Sequence, residues 1–232
     1  MSPTCLMRRR VELKYLLWPD EADAVLARLQ EATARFPSTD GLIRTVYLDR
    51  PDGRLTRTAG ERRNVKLRIR DYFTPEGGSA SPSLWVDVKE RDGRHSSKQR
   101  FRLDRRLLGT FLEGYLDEGA VDDVEAFRRV REVAGGPLVP VGAVGYRRLA
   151  VEGGDPVARV TFDREISYHV GPLDLRLVGG TWDGLGTPAL EERASILELK
   201  YGGGATWFEP DADPVEYSKF NVLSALVASH VD

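Results

Sequence analysis

One cysteine, Cys5, stands in 232 residues, beside two methionines and three histidines. A single thiol excludes an intramolecular disulfide framework and any CxxC metal site, and it fits a reducing compartment. His95, His169 and His230 are scattered, and no GxSxG, HExxH or P-loop motif occurs, so the chemistries those motifs carry have no footing here. No apolar run approaches the roughly 20 residues that span a bilayer, and the stretch up to Arg10 lacks a signal-peptide core. A cytoplasmic chain with no membrane segment of its own is therefore expected. Net positive charge is also missing: 34 Lys and Arg against 36 Asp and Glu give −2. A chain that coats nucleic acid by electrostatics carries a basic domain or stripe, so no nucleic acid partner is expected. The acids Asp117, Glu118, Asp122, Asp123 and Glu125 are the expected counterweight to locally concentrated cations.

Lysine is scarce. Of the 34 basic residues only six are lysines: Lys14, Lys66, Lys89, Lys98, Lys200 and Lys219. In a chain that favours arginine, each marks a position where a compact, strongly hydrated ammonium has been kept. Four of them fall in segments where charges stand two apart around a single, usually apolar, residue: Glu12-Leu13-Lys14, Arg68-Ile69-Arg70, Asp87-Val88-Lys89, Lys98-Gln99-Arg100-Phe101-Arg102 and Glu198-Leu199-Lys200. Strand side chains alternate between faces, so each segment turns its charges one way and its apolar groups the other. Lys66 shares the parity of Arg68 and Arg70.

Alternation and Val, Ile, Tyr and Phe content predict eight main strands, at about 8–17, 43–49, 63–73, 84–91, 96–103, 139–152, 157–169 and 194–202. Asp92-Gly93 and Glu152-Gly153-Gly154-Asp155-Pro156 are turn signals that make antiparallel hairpins of their flanking strands. The segments Pro75–Pro82 and Pro172–Pro188 read as loops or small additions. A length of 232 residues with 41% hydrophobic content suits one domain, 1–232. Asp20 is the expected N-cap of a helix to about Ala34 with Val25, Leu29 and Ala32 on one stripe, and one or two more helices are expected between Asp104 and Val133. A last helix is expected from Asp213 as N-cap, through Pro214 and Glu216 at its first and third positions, to about Ser229. That would put Lys219 on the docking face with Val215, Val222, Leu223 and Leu226.

In order along the chain, Glu12-Leu13-Lys14-Tyr15, Val46-Tyr47-Leu48-Asp49, Leu67-Arg68-Ile69-Arg70, Val88-Lys89, Lys98-Gln99-Arg100, Tyr146-Arg147-Arg148, Arg159-Val160-Thr161-Phe162-Asp163, Leu197-Glu198-Leu199-Lys200-Tyr201 and Ser218-Lys219-Phe220 resemble the VTC domain. This is the polyphosphate-polymerase module of the triphosphate tunnel metalloenzyme (CYTH-like) superfamily. The resemblance implies an α+β fold in which an eight-stranded antiparallel closed β-barrel turns its polar face inward and packs helices outside. It implies phosphate binding by Lys14, Arg68, Arg70, Lys89, Lys98, Arg100, Arg148 and Arg159, with Lys200 and Arg102 sharing the inward parity. Arg148 is preferred to Arg147 because the family pattern is Tyr-x-Arg. Glu198 matches the metal-binding acid, with Glu12 a second candidate, for Mn²⁺ or Mg²⁺. Asp49, Asp87 and Asp163 are expected to support the metal or to hold arginines.

The reaction implied moves the γ-phosphoryl of ATP, or of another nucleoside triphosphate, to inorganic phosphate or a growing polyphosphate chain, with Lys219, Arg148 and Arg159 in catalytic positions. Two other readings of the same cations stand beside it: a tunnel triphosphatase, or a binding module without turnover. The family's eukaryotic members often carry a basic residue three before the terminal-helix lysine, where this chain has Glu216. Their complexes also contain membrane and regulatory parts, so association with a separate membrane or partner protein is an expectation. Trp85, Trp182 and Trp207 have core or loop packing as their ordinary fate, and stacking on a base as the alternative. Gly202-Gly203-Gly204 reads as a flexible loop.

Overall fold

The structure, a computed structural model, describes residues 11–78, 81–93, 95–154, 158–171, 173, 185–202 and 206–230. Cys5, Trp182, Gly203 and Gly204, residues 8–10 of the first expected strand, Asp155 and Pro156, and much of the two expected loops lie outside them. Nine strands form: β1 (Val11–Leu17), β2 (Ser38–Asp49), β3 (Arg63–Phe73), β4 (Ser83–Asp92), β5 (His95–Asp104), β6 (Val139–Gly153), β7 (Ala158–Val170), β8 (Leu190–Glu192) and β9 (Ser195–Tyr201). Their hydrogen-bonded order is β1-β9-β7-β6-β2-β3-β4-β5, with β8 on β7. The pairs β1/β9, β7/β9, β2/β3, β3/β4 and β4/β5 are antiparallel. Eight of the nine strands are those expected from alternation, and β8 is a three-residue addition.

The chain divides into two compact units. The first comprises residues 1–41, 147–166 and 192–217, the second residues 42–146, 167–191 and 218–232. Each has its own core. In the first, Tyr15, Leu17, Val160, Phe162, Leu197 and Leu199 pack with Ala22, Val25 and Leu29 of α1 (Pro19–Thr33). Asp20 does not cap α1. The cap position is Trp18, Pro19 fills the first helical position that its missing N–H suits, and the Glu21 carboxylate accepts from the Trp18 N–H at 2.9 Å. In the second unit, Leu67, Ile69, Leu84, Val86, Val88, Phe101 and Leu103 pack with Phe127, Val130 and Ala134 of α4 (Val124–Ala134). Two shorter helices, α2 (Arg54–Arg57) and α3 (Leu108–Glu113), add Leu55, Leu108 and Phe111.

The terminal helix differs from expectation. α5 runs Lys219–Ser229, and its N-cap is Ser218, whose side chain accepts from the Asn221 N–H. Asp213, Pro214 and Glu216 lie before it in a segment without regular secondary structure and are exposed. Asp213 followed by Pro214 has the composition of a cap, but the backbone of Val215 is committed elsewhere: its N–H donates to the Lys14 carbonyl at 2.7 Å. The buried face of α5 is therefore Phe220, Leu223 and Ser224, and Val215 is not on it. Leu223 lies so close to β6 that a Cβ on Gly142 would meet its Cδ1 at 2.8 Å and the His169 carbonyl at 3.0 Å. Glycine at 142 is what permits that approach.

Candidate functional site

The registers of β3, β4 and β5 convert the charge alternation into rows. Lys66 stands opposite Lys89, and Lys89 opposite Lys98. Arg68 stands opposite Asp87 and Asp87 opposite Arg100; Arg70 stands opposite Trp85 and Trp85 opposite Arg102. In these three rows seven cations and one acid share a face, while Leu67, Ile69, Val86, Val88, Phe101 and Leu103 point into the core. Tyr47 and Thr45 of β2 extend the rows, opposite Arg68 and Arg70.

Asp87 is the pivot of this face. Its carboxylate is 1% exposed and meets Arg68 Nε at 3.1 Å, Arg70 Nη1 at 3.6 Å and Lys98 Nζ at 3.2 Å. Burial opposes its ionisation, but the charges of Arg68, Arg70 and Lys98 outweigh burial and hold the carboxyl below its usual range. One carboxylate does not neutralise three cations. Lys98 registers the imbalance: burial first, then repulsion from Arg70 and Arg68, bring its ammonium down to about 8, against the pull of Asp87. Such a face is relieved by an incoming anion that accepts charge-assisted hydrogen bonds. Arg100 and Arg102 lie further out, with guanidiniums 4.3 and 5.1 Å from the Trp85 ring centroid, and Arg102 also pairs with Asp122 at 3.3 Å. Lys66 donates to the Ser218 hydroxyl at 2.9 Å, over the Phe220 ring. Lys89 is half-buried between Lys66 and Lys98 in its row.

Lys219 belongs to the same unit. As the first residue of α5 it is half-buried, and its ammonium lies 4.6 Å from the Tyr146 ring centroid, a cation–π contact. The helix face from which an inward placement was expected is not the one observed: the buried residues of α5 are Phe220, Leu223 and Ser224. Glu216 is exposed and caps nothing among the described residues.

In the other unit the rows come from β1, β9 and β7. Glu12 stands opposite Lys200 and Lys200 opposite Arg159; Lys14 stands opposite Glu198 and Glu198 opposite Thr161. Lys200 Nζ lies 2.9 Å from Glu198 and 3.6 Å from Glu12, and Lys14 Nζ lies 3.7 Å from Glu12. Lys14 also donates to the Tyr217 carbonyl at 2.9 Å. Burial pushes the Glu198 carboxyl up, yet its hydrogen bond with Glu12 and the charges of Lys200 and Lys14 carry it well below its ordinary value. Arg148 is held by Asp163 through a two-point bridge, Nε to Oδ1 at 2.5 Å and Nη2 to Oδ2 at 2.6 Å. Arg147 turns instead to Asp40, at 2.8 Å. Arg159 is half exposed and 3.6 Å from Glu152.

Glu12 and Glu198 suit a hard divalent cation. They are carboxylates on the neighbouring strands β1 and β9, and both approach the Lys200 ammonium. No group of three or more His, Cys, Asp or Glu gathers to hold a metal among the described residues. Two protein carboxylates are nevertheless enough for Mg²⁺ or Mn²⁺ where phosphate oxygens and water complete the shell.

Asp49 has a different task from the one expected. It is fully buried and accepts from the N–H groups of Arg50, Leu55 and Thr56, at 2.6, 2.9 and 2.6 Å, and from the Thr56 hydroxyl at 2.5 Å. It fastens the turn into α2 and holds no arginine side chain among the described residues. Trp207 packs with Phe36 and Phe208, whereas Trp85 sits half-buried in the charged rows, a place legible from its parity with Asp87 and Lys89. The Ser218 hydroxyl and Tyr217 carbonyl as lysine partners had no sequence signal, because both contacts join residues far apart in the chain.

A family model described as VTC domain matches residues 9–230. No curated protein matches the sequence. Among solved structures, a candidate adenylyl cyclase from Hippeastrum, described as having a dominant triphosphatase activity, is similar over 94% of this chain and 96% of its own, at 16% identity and a TM-score of 0.53. A candidate adenylate cyclase from Bacillus halodurans covers 96% of this chain and 87% of its own, at 13% identity and a TM-score of 0.48. No helix among the described residues is long and apolar enough to cross a membrane.

Proposed function

The chain belongs to the VTC-domain family of the triphosphate tunnel superfamily, and from that premise we propose that it is a metal-dependent polyphosphate polymerase using ATP. A terminal oxygen of inorganic phosphate or polyphosphate attacks the γ-phosphorus. The new P–O bond forms as the bond to the β,γ-bridging oxygen breaks, and ADP leaves with the electron pair. This chemistry asks for alignment and charge neutralisation and needs no covalent enzyme intermediate.

The observation that supports the reading most is the set of rows on β3, β4 and β5, where seven cations share a face with one buried carboxylate that three of them contact. Lys14, Arg68, Arg70, Lys89, Lys98, Arg100, Arg102 and Lys200 take phosphate oxygens. Lys219 orients the attacking or transferred phosphate, and Arg148 and Arg159 stabilise charge on the phosphoryl oxygens; Asp163 keeps Arg148 in place for that task. When bound at Glu198 and Glu12, Mn²⁺ or Mg²⁺ supplies further neutralisation of phosphate charge.

A triphosphatase reading, with water as acceptor, draws support from the described activity of the Hippeastrum protein that shares this fold. Incubation with ATP and Mn²⁺ or Mg²⁺ separates the two. Long-chain polyphosphate with ADP is the expected product, and free phosphate with no polymer would replace the polymerase by the hydrolase.

A further inference from the structure

Resting on the reading above and extending it to the donor, we propose that a cavity at β5 holds the nucleoside of the donor nucleotide, its base against Trp85 and its ribose hydroxyls on Glu125 and Asp123. The cavity measures about 460 Å³ and lies wholly within one compact unit. That is toward the lower end of the roughly 300–1,000 Å³ of small-molecule sites.

The lining has the wrong chemistry for a bare phosphate chain. Lys98 and Arg100 suit phosphate, but Asp123 and Glu125, at the start of α4, would repel it. A nucleotide resolves the conflict, because it is anionic at one end and carries a neutral diol and a flat base at the other. Carboxylates accept hydrogen bonds from hydroxyls, and the indole of Trp85 offers a stacking surface. The Arg100 guanidinium already lies 4.3 Å from the Trp85 ring centroid, so the platform is two groups deep. Gln99, with both a donor and an acceptor on its amide, lines the same cavity and suits a base edge.

The polar groups there are also uncommitted to the degree a ligand site needs. A third lining acid, Asp122, is engaged, accepting from the Arg102 N–H at 2.6 Å and pairing with its guanidinium. Asp123 uses one oxygen to cap α4 through the Ala126 N–H, and its other oxygen accepts no hydrogen bond among the described residues. Gln99 and Glu125 make no side-chain hydrogen bond among the described residues. Lys98 and Arg100, which line the cavity, also belong to the cationic rows, Lys98 opposite Lys89 and Arg100 opposite Asp87, so phosphates attached to a nucleoside here lie beside those rows.

The test is calorimetric titration of MgATP and of magnesium tripolyphosphate into the wild-type protein, Trp85→Ala and Glu125→Ala. The quantity read is the ratio of ATP affinity to tripolyphosphate affinity, which cancels changes common to all polyanions. The ratio should fall about tenfold in Trp85→Ala, as expected for loss of a stacking aromatic. It should also fall in Glu125→Ala, where the removal of an acid leaves tripolyphosphate binding equal or tighter. Glu125 is exposed, so this second variant tests the site even if Trp85→Ala does not fold. An unchanged ratio in both variants overturns the proposal. If the wild-type protein makes polymer from ATP while the ratio stays unchanged, the nucleoside site alone is wrong. If the ratio falls while the wild-type protein makes no polymer, the polymerase reading alone is wrong.

Discussion

Asp87 fixes Arg68, Arg70 and Lys98 from a position that is 1% exposed. Asp87→Asn keeps the shape and removes the charge, leaving three largely buried cations without their anion. Breaking a buried pair from one side typically costs several kcal/mol, so a loss of about 3 kcal/mol in unfolding free energy is expected by urea denaturation. Millimolar phosphate should return part of it, whereas an equal loss with and without phosphate would mean that the face does not bind anions. Lys98 gives a pH signature. Its folded value of about 8 lies below its ordinary one, so keeping it charged costs stability. That cost is fully present below about pH 8 and is relieved as pH rises from there toward the ordinary lysine value. Anion binding runs the other way, because the charge that attracts phosphate is lost as pH rises through 8. Tripolyphosphate affinity should weaken between pH 7 and 9 in the wild-type protein, and the slope should flatten in Lys98→Arg, since arginine stays protonated. Parallel slopes would remove Lys98 from the binding set. Asp87 and Glu198 act in the opposite sense, their depressed values contributing stability above the carboxylate range that is lost as pH falls through it.

At the scale of elements, α5 separates what sequence can and cannot carry. Asp213-Pro214-Val215-Glu216 has every local mark of a helix start, and Ser218 is an equally good cap. The chain uses Ser218, and the segment before it is instead tied to β1 by a contact that no local window contains, the Val215 N–H donating to the Lys14 carbonyl. Ser218→Ala should therefore destabilise the protein by about 1 kcal/mol through the lost cap, with a further effect from the lost Lys66 partner. Asp213→Ala should stay within about 0.5 kcal/mol, as surface changes usually do. Thermal unfolding of the two variants checks this, and the reverse ranking would restore the earlier start. Strands were far more legible. Lys66, Arg68 and Arg70 alternate with Leu67 and Ile69, and a slip of one residue in β3 would bury the cations and expose the core, so pattern and register enforce each other. Asp49 shows the limit of reading roles from motifs: it was expected to support the metal or to hold an arginine, while its oxygens went to backbone N–H groups six and seven residues ahead.

Across the whole molecule, the order of short charged motifs carried the family, and pairing registers then sorted the candidate residues into two sets of rows. The partners each cation takes lay outside the sequence's reach. Lys14 on the Tyr217 carbonyl, Lys66 on the Ser218 hydroxyl and Lys219 over Tyr146 are contacts between distant segments. Lys219→Ala should abolish turnover of ATP while leaving tripolyphosphate binding within a few-fold of wild type, because its assigned task is to orient one phosphate. Unchanged turnover would end that assignment.

The most direct test of the central claim, that these charged rows exist to hold chained phosphates, is the melting temperature of the wild-type protein with and without tripolyphosphate. Ligand at 100 times its Kd stabilises the folded state by about 2.7 kcal/mol. For a chain of this length that corresponds to a rise of roughly 5–10 °C. Such a rise, shrinking as salt is added and shrinking again in Arg68→Ala, is the result predicted; no shift at millimolar tripolyphosphate and low salt would contradict the account.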